Sequence, residues 1–267
     1  YLITGSNGYI AKILIKKLVK DSKKLITVSK YREQKNKNIH HVKSNIFSNF
    51  NLKKKTKCII HMASKNFFTQ NVDQLKEVTI NFDQFIKSNI QTTIKICEFA
   101  KKNKVSKVIF FSSLAIYGKS NLKTISNKSS YYDIDFYGLT KLMSESVLRD
   151  YSKHFSVYIL RIPGVLDEHQ NVPWPWLNEV KNKIKDNKNI TFFNPKKKFN
   201  SLTSIGDIAK IIKHINKKNK KKDFQIYNFG GNKPQSIIDI LNKIKKKYQS
   251  KSKFIIKNAK KHSSIID

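Results

Sequence analysis

Two hydrophobic periods alternate along the chain. Short runs at Leu2–Thr4, Leu25–Ser29, Ile39–Val42, Cys58–Met62, Lys107–Ser112, Val157–Arg161 and Gln225–Asn228 are largely apolar, as strands buried on both faces must be. Between them, Tyr9–Lys20, Val78–Lys102, Phe136–His154, Ile205–Ile215 and Pro234–Lys247 bring apolar residues back every three or four positions. That is the repeat of a helix with one buried face. Strands alternating with helices of these lengths predict an α/β fold, a doubly wound parallel sheet with helices on both faces. In such a sheet a ligand binds at the carboxyl ends of the strands, where the winding direction reverses.

Two segments depart from this rhythm. Residues 119–133, KSNLKTISNKSSYYD, are polar and loop-like and lead into the helix that begins at Phe136. Residues 164–200 hold the run PWPW (173–176), an amphipathic helix and a basic turn, and read as a substrate-binding insertion. The expected organisation is a nucleotide-binding domain over 1–163, with 199–230 packing back on it. A smaller C-terminal substrate-binding region then comprises 164–198 and 231–267. The chain opens at Tyr1, without Met, and meets Gly5 almost at once, so the first strand reads as clipped and the sequence as a fragment cut at both ends.

Composition narrows the class. With 39% hydrophobic residues the 267-residue chain can bury a sizeable core. No window approaches the run of about 20 apolar residues that a membrane helix requires, and no basic-then-apolar leader opens the chain. Cys58 and Cys97 each sit in an apolar run, which argues for free thiols in a reducing cytoplasm rather than a disulfide framework. The seven histidines show no metal-ligand spacing, and no metal is expected; His61 reads as a core or pocket-edge residue. A formal charge of +36 raises the question of a nucleic-acid or acidic-membrane partner. The excess is nearly all lysine, however. Its runs at Lys53–Lys55, Lys196–Lys198, Lys220–Lys222 and Lys245–Lys247 fall at loops or helix ends with little aromatic interleaving. Lysine is the default surface residue of this chain, and the charge suits attraction of an anionic substrate better than a dedicated nucleic-acid face.

The stretch LITGSNGYIA (2–11) sets Gly5, Gly8 and Ala11 at the spacing G-x-x-G-x-x-A, straight after a strand and into a helix. A Rossmann-type dinucleotide site needs a tight turn, close backbone approach to a diphosphate and close helix–sheet packing. Glycine meets the first two demands and alanine the third, so Gly5, Asn7, Gly8, Tyr9 and Ile10 are candidate cofactor contacts. About twenty residues on, NAD sites carry a carboxylate for the ribose 2′-hydroxyl. Here the second strand ends VSKYRE, and Ser29, Lys30 and Arg32 suit a 2′-phosphate better, which favours NADP over NAD. The stretch FYGLTK (136–141) stacks Tyr137 and Lys141 on one helix face. A packed surface pair and an activated phenol share that spacing. In the second case a cation favours the phenolate and brings its pKa, ordinarily about 10, towards the range useful for proton transfer.

Three stretches, TGSNGYIA (4–11), VIFFSSLAIYG (108–118) and YGLTK (137–141), resemble the extended short-chain dehydrogenase/reductases. More narrowly, the chain resembles the NAD-dependent epimerase/dehydratase family that acts on nucleotide sugars. CIIHMAS (58–64), NIQTTIKICEFAKK (89–102), LRIP (160–163), SIGDIAK (204–210) and YNFGG (227–231) extend the resemblance over nearly the whole chain. It implies Tyr137 and Lys141 as the catalytic tyrosine and lysine, with the lysine also holding the nicotinamide ribose. Ser113 matches the serine that hydrogen-bonds the same substrate oxygen, Ser112 being the weaker candidate, and Asn89 matches a supporting catalytic asparagine in the preceding helix. The resemblance further implies cofactor contacts at Asn45 and Ile46 beside the adenine, at Met62, Ala63 and Ser64 beside the nicotinamide ribose, and at Pro163. A homodimer through the helices near 78–102 and 136–154, in the cytoplasm, is implied in the same way.

Departures from the family pattern limit the reaction. Leu114 and Ala115 stand where dehydratases carry an Asp-Glu pair, so the acid and base for removing water are missing and a 4,6-dehydratase is disfavoured. Gly164 stands where the family has a substrate-binding Asn, and Asn200 where many members have an Arg that clamps the diphosphate. Lys196–Lys198 supply charge nearby, as flexible point charges rather than a bidentate fork. Ser113, Gly164 and Asn200 thus mark the substrate side. The leading expectation is an NAD(P)-dependent sugar-nucleotide epimerase or keto-reductase. The alternatives are an NADPH-dependent reductase of a non-nucleotide carbonyl, or a non-catalytic cofactor- or RNA-binding protein, against which the intact Ser-Tyr-Lys set argues.

Overall fold

The computed structural model describes residues 1–20, 25–29, 37–43, 55–66, 81–120, 122–166, 175–218, 222–257 and 265–266. The seven apolar runs form one sheet: β1 Leu2–Thr4, β2 Leu25–Ser29, β3 Ile39–Lys43, β4 Cys58–His61, β5 Lys107–Ser113, β6 Ser156–Ile162 and β7 Phe224–Asn228. Their order across the sheet is β7-β6-β5-β4-β1-β2-β3. Parallel registers pair Leu2 with Ile26 and with Ile59, Leu25 with Ile39, and Cys58 with Lys107. The winding direction therefore reverses at β1, between β2 and β4, and the fold is the Rossmann-type doubly wound sheet that the pattern predicted.

Among the described residues the α-helices are α1 Tyr9–Val19, α2 Phe82–Phe85, α3 Thr92–Lys102, α4 Phe136–Tyr151, α5 Pro175–Lys185, α6 Ile205–Lys217 and α7 Ile237–Lys247. One core layer joins Ile59, Val108, Val157 and Ile159 of the strands to Ile96, Cys97 and Leu148 of α3 and α4, all fully or nearly fully buried. Burying each such aliphatic side chain stabilises the fold by about 1.5–3 kcal/mol. The expected single helix over 78–102 is interrupted: α2 runs into a π-helical turn at Ile86–Gln91 before α3 begins. The expected helix from Pro234 starts later, because Ser236 accepts from the backbone N–H of Asp239 and closes a capping box there. Gln235 and Ser236 pair instead with Lys198 and Phe199.

Contacts divide the chain into two compact units. The first holds Tyr1–Gly118, Tyr131–Arg161 and Ile205–Tyr227; the second holds Lys119–Ser130, Ile162–Ser204 and Asn228–Asp267. Within the second, Ile184, Ile190, Phe192 and Leu241 form a small core with Ile237 and Phe254 against it. Short parallel pairs stitch it together: Ile190–Phe193 with Phe254–Lys257, and Gly164–Leu166 with Leu202–Ser204. Thr124 and Ile125, inside the segment read as a loop, pair with Ile265 and Ile266 from the other end of the chain. No helix among the described residues is long and apolar enough to cross a membrane.

Candidate active site

The glycine turn leaves β1 and enters α1. Gly5 has φ +68°, in the left-handed region, and a Cβ there would lie 2.6 Å from the Ala63 backbone and 2.9 Å from the Met62 carbonyl carbon. The turn therefore nests against the segment that follows β4. Gly5 N–H donates to Val28 O (3.1 Å) and Gly8 N–H to Gly5 O (3.0 Å), while Gly8 caps α1. Asn7 lies in the turn, and Tyr9 and Ile10 open the helix. Ser6 Oγ is buried without a hydrogen-bond partner in the structure. A helix N-terminus, a backbone cradle that a Cβ would fill and an unused buried hydroxyl together fit the diphosphate of a dinucleotide. Ser29 closes β2 and is buried. Lys30, Arg32, Asn45 and Ile46 lie outside the described residues.

Behind this turn runs a buried relay. Thr93 Oγ1 donates to Asn89 O (2.6 Å), so it accepts from His61 Nε2 (3.1 Å); His61 Nδ1 then accepts from Thr4 Oγ1 (2.7 Å). Thr4 Oγ1 in turn accepts from the N–H groups of Met62 (3.2 Å) and Ala63 (3.3 Å). The partners thus assign the neutral Nε2–H tautomer. Burial, helped by the charge of Lys141, takes His61 down to about 3, which agrees with a neutral ring. Asn89, in the π turn, accepts from Lys65 N–H (2.7 Å) and donates to Lys65 O (3.1 Å) and Thr140 Oγ1 (2.8 Å). Its amide ties the Met62–Lys65 segment to α4. Ser64 lies within that segment.

Ser113 ends β5 and caps the 3-10 turn Leu114–Tyr117, its Oγ accepting from Ala115 N–H (3.1 Å). The same residue acts on the Tyr137 phenol in the direction that favours its ionised form. Asp135 caps α4 by accepting from Gly138 N–H (2.7 Å), which sets Tyr137 in the first turn. Lys141, one turn on, is buried; its Nζ donates to Phe111 O (2.8 Å) and sits 4.8 Å from the Phe110 ring centroid and 5.8 Å from that of Tyr137. Desolvation pushes the Tyr137 phenol up to about 12, against the Ser113 hydrogen bond and with the help of Asp135. Desolvation also brings Lys141 down to about 7, against the charge of Glu145. Ser113, Tyr137 and Lys141 come together at the carboxyl end of the sheet.

Other residues around this group carried weaker signals. Ser112 Oγ donates to Glu145, whereas Ser113 is the serine that acts on the Tyr137 phenol. Glu145 lies one turn beyond Lys141 on α4, a spacing readable from sequence, but its partner Arg161 arrives from β6. Gly138 lets α4 approach the 3-10 turn: a Cβ there would meet Ala115 O at 2.5 Å. Pro163, Gly164 and Asn200 belong to the second unit. Gly164 opens the strand that pairs with Leu202. The Asn200 amide donates to Gly231 O (3.2 Å) and Ile266 O (2.8 Å) and accepts from Ile266 N–H (2.7 Å), so it clamps backbone within that unit. Among the described residues no cluster of His, Cys, Asp and Glu could hold a metal.

Comparison with known proteins places this geometry. The model of the NAD dependent epimerase/dehydratase family matches residues 1–230. An uncharacterised protein of Methanocaldococcus jannaschii is 29% identical over 173 residues, 63% of this chain and 52% of that protein, so the match spans about half of the relative's length. Protein CapI of Staphylococcus aureus is 24% identical over 284 residues, covering 92% of this chain and 82% of CapI. Among solved structures, the UDP-glucuronic acid 4-epimerase from Bacillus cereus in complex with NAD superposes with a TM-score of 0.79 at 22% identity, over 100% of this chain and 88% of that one. The chain belongs to the NAD dependent epimerase/dehydratase family, a family of nicotinamide-dependent enzymes.

Proposed function

We propose that the protein epimerises a nucleotide sugar, with Ser113, Tyr137 and Lys141 handling the proton of one sugar hydroxyl. The observation that carries this reading is the placement of Tyr137 with Lys141 one turn along the same helix, its Nζ 5.8 Å from the Tyr137 ring centroid, beside Ser113 and on the same unit as the glycine turn. The B. cereus epimerase, alike in fold, is named for a UDP-sugar and holds NAD, which supports the substrate class. Bound at the glycine turn, a nicotinamide dinucleotide supplies reversible hydride acceptance and return. Tyr137 takes the hydroxyl proton and later gives it back. Ser113 holds the same oxygen by a hydrogen bond, and the Lys141 charge stabilises the phenolate. Ser29 in place of a carboxylate removes repulsion against a 2′-phosphate, which supports acceptance of NADP as well as NAD.

Substitution Tyr137→Phe keeps the ring and removes the proton carrier. Turnover of UDP-sugars, followed by product separation, should fall by about 10²–10⁴-fold with cofactor binding retained. Full turnover in this variant would end the reading. A second reading, reduction of a non-nucleotide carbonyl, draws support from Asn200, whose amide is engaged by backbone rather than offered to a diphosphate. A substrate screen in which only diphosphate-free carbonyls oxidise NADPH would favour it.

A homodimer is part of the proposal. Phe82 and Ile86 on α2 and the π turn, and Leu139 and Met143 on α4, are exposed apolar side chains on elements that pack together. Substituting Met143→Glu should shift a dimer towards monomer in sedimentation, with the far-UV spectrum unchanged. Both cysteines are buried and free, which supports a reducing cytoplasm.

A further inference from the structure

Glu145 and Arg161 form a buried ion pair that the proposed proton transfer does not use. Glu145 is 4% and Arg161 1% exposed. Arg161 Nε reaches both carboxylate oxygens (3.1 and 3.3 Å), and Nη2 reaches Oε2 at 2.7 Å. Nη1 donates to the Tyr117 hydroxyl (2.6 Å) and Nη2 to that of Tyr131 (3.1 Å). Ser112 Oγ donates to Glu145 Oε1. The carboxylate thus collects hydrogen bonds from the ends of β5 and β6 while sitting on α4. Buried pairs of this kind are commonly no more stabilising than apolar side chains of the same volume. Their retention beside a reactive group therefore points to electrostatic work.

Lys141 needs such work. Its ammonium is buried, beside aromatic rings and the carbonyl of Phe111. A charged ammonium in that setting is desolvated and needs a counter-charge. The other titratable groups near it are Tyr137 on its own helix and His61 on β4, while Arg161 on β6 and Tyr117 on the 3-10 turn face the Glu145 side. None of these is a carboxylate. Glu145 is the carboxylate one turn away, and its charge acts to keep the lysine protonated.

We propose that Glu145 is a positioning residue that holds Lys141 in its charged form and aligns the Ser112–Ser113 strand end with α4, with Arg161 clamping the carboxylate in place. This rests on the reading of Ser113, Tyr137 and Lys141 as the proton-transfer group. The test uses the full chain with its cofactor. Glu145→Gln keeps the size, removes the charge and leaves one accepting oxygen, which can still take the Ser112 hydroxyl. Loss of Lys141's proton should then occur at a pH lower by about one unit or more, and the alkaline limb of kcat/KM should move with it. KM for the sugar should change less than kcat. The protonation midpoint of Lys141 is read directly by NMR of its side-chain carbon, independently of turnover. A midpoint that stays put in Glu145→Gln, or one that moves without the alkaline limb, overturns the proposal. Should the single variant fail to fold, Glu145→Gln/Arg161→Met removes the unpaired guanidinium as well. The Lys141 midpoint should still move down, by less than in the single variant because a neighbouring cation is lost too, and the absence of any downward movement overturns the proposal. If Tyr137→Phe retains turnover, the proposed function falls, yet the Lys141 midpoint still reports on Glu145.

Discussion

At Gly138 a methyl carbon would lie 2.5 Å from Ala115 O and 2.7 Å from Ile134 Cγ2. One contact is backbone, so the first turn of α4 must retreat from the 3-10 turn that Ser113 caps. Gly138→Ala should therefore lower stability by about 1–3 kcal/mol in denaturant unfolding, the range for overpacked sites. Turnover should drop further than the stability change explains, because Tyr137 moves away from Ser113. The Tyr-Lys spacing was legible in the sequence, and so was the glycine beside it. That this glycine lets α4 lie against the 3-10 turn depends on where a turn distant in the chain comes to rest. The phenol illustrates the same division. A nearby cation was expected to draw its pKa down, whereas burial in the folded protein drives it up to about 12 and the Ser113 hydrogen bond opposes that rise.

Among the elements, the interrupted helix over 82–102 is the informative one. Its apolar repeat reads as continuous, yet the π turn at Ile86–Gln91 inserts extra backbone where Asn89 faces the end of β4. Such turns mark functional sites because they re-aim one side chain without ending the helix. Asn89→Leu would leave the Lys65 N–H and carbonyl unpartnered. Each buried unpaired group costs about 1–3 kcal/mol, so the variant should lose a few kcal/mol. Hydrogen exchange should show the loss concentrated in Met62–Lys65, the segment that packs on Gly5, and cofactor affinity should fall with it. Uniform loss of protection throughout the chain would instead mark Asn89 as a general core residue.

For the molecule as a whole, pH and charge act through burial. His61 titrates at about 3 in the folded state and at the ordinary 6.5 when exposed. The unfolded chain therefore takes up the proton first as pH falls, and stability declines from pH 6.5 towards 3 by up to about 1.4 kcal/mol per unit. His61→Gln should be less stable at neutral pH, yet its unfolding free energy should vary less with pH across that window. An unchanged slope would remove His61 from the account. The basic surface has a structural use as well. A cavity of about 620 Å³ at the amino ends of the strands is lined by six lysines and His154. Lys107 Nζ there donates to the carbonyls of Ile215 (3.0 Å) and Asn216 (2.7 Å), closing α6. Cations at helix carboxyl ends offset the dipole and the unpaired carbonyls. Part of the lysine excess is thus placed on the face opposite the glycine turn.

The alternation of apolar runs was sufficient, by itself, to predict the strands of the sheet, because buried parallel strands and one-sided helices impose different repeats on neighbouring residues. The glycine turn and the Tyr-Lys pair were equally local, since their geometry is set within a few residues of chain. The short pairings of the second unit escaped that reading: Thr124 and Ile125 become a strand only through Ile265 and Ile266, from the far end of the chain. The Glu145–Arg161–Ser112 network, the His61 relay and the engagement of Asn200 likewise depend on residues that folding alone brings within hydrogen-bond distance. Periodicity records which face of an element is buried, and tertiary structure decides what that face meets.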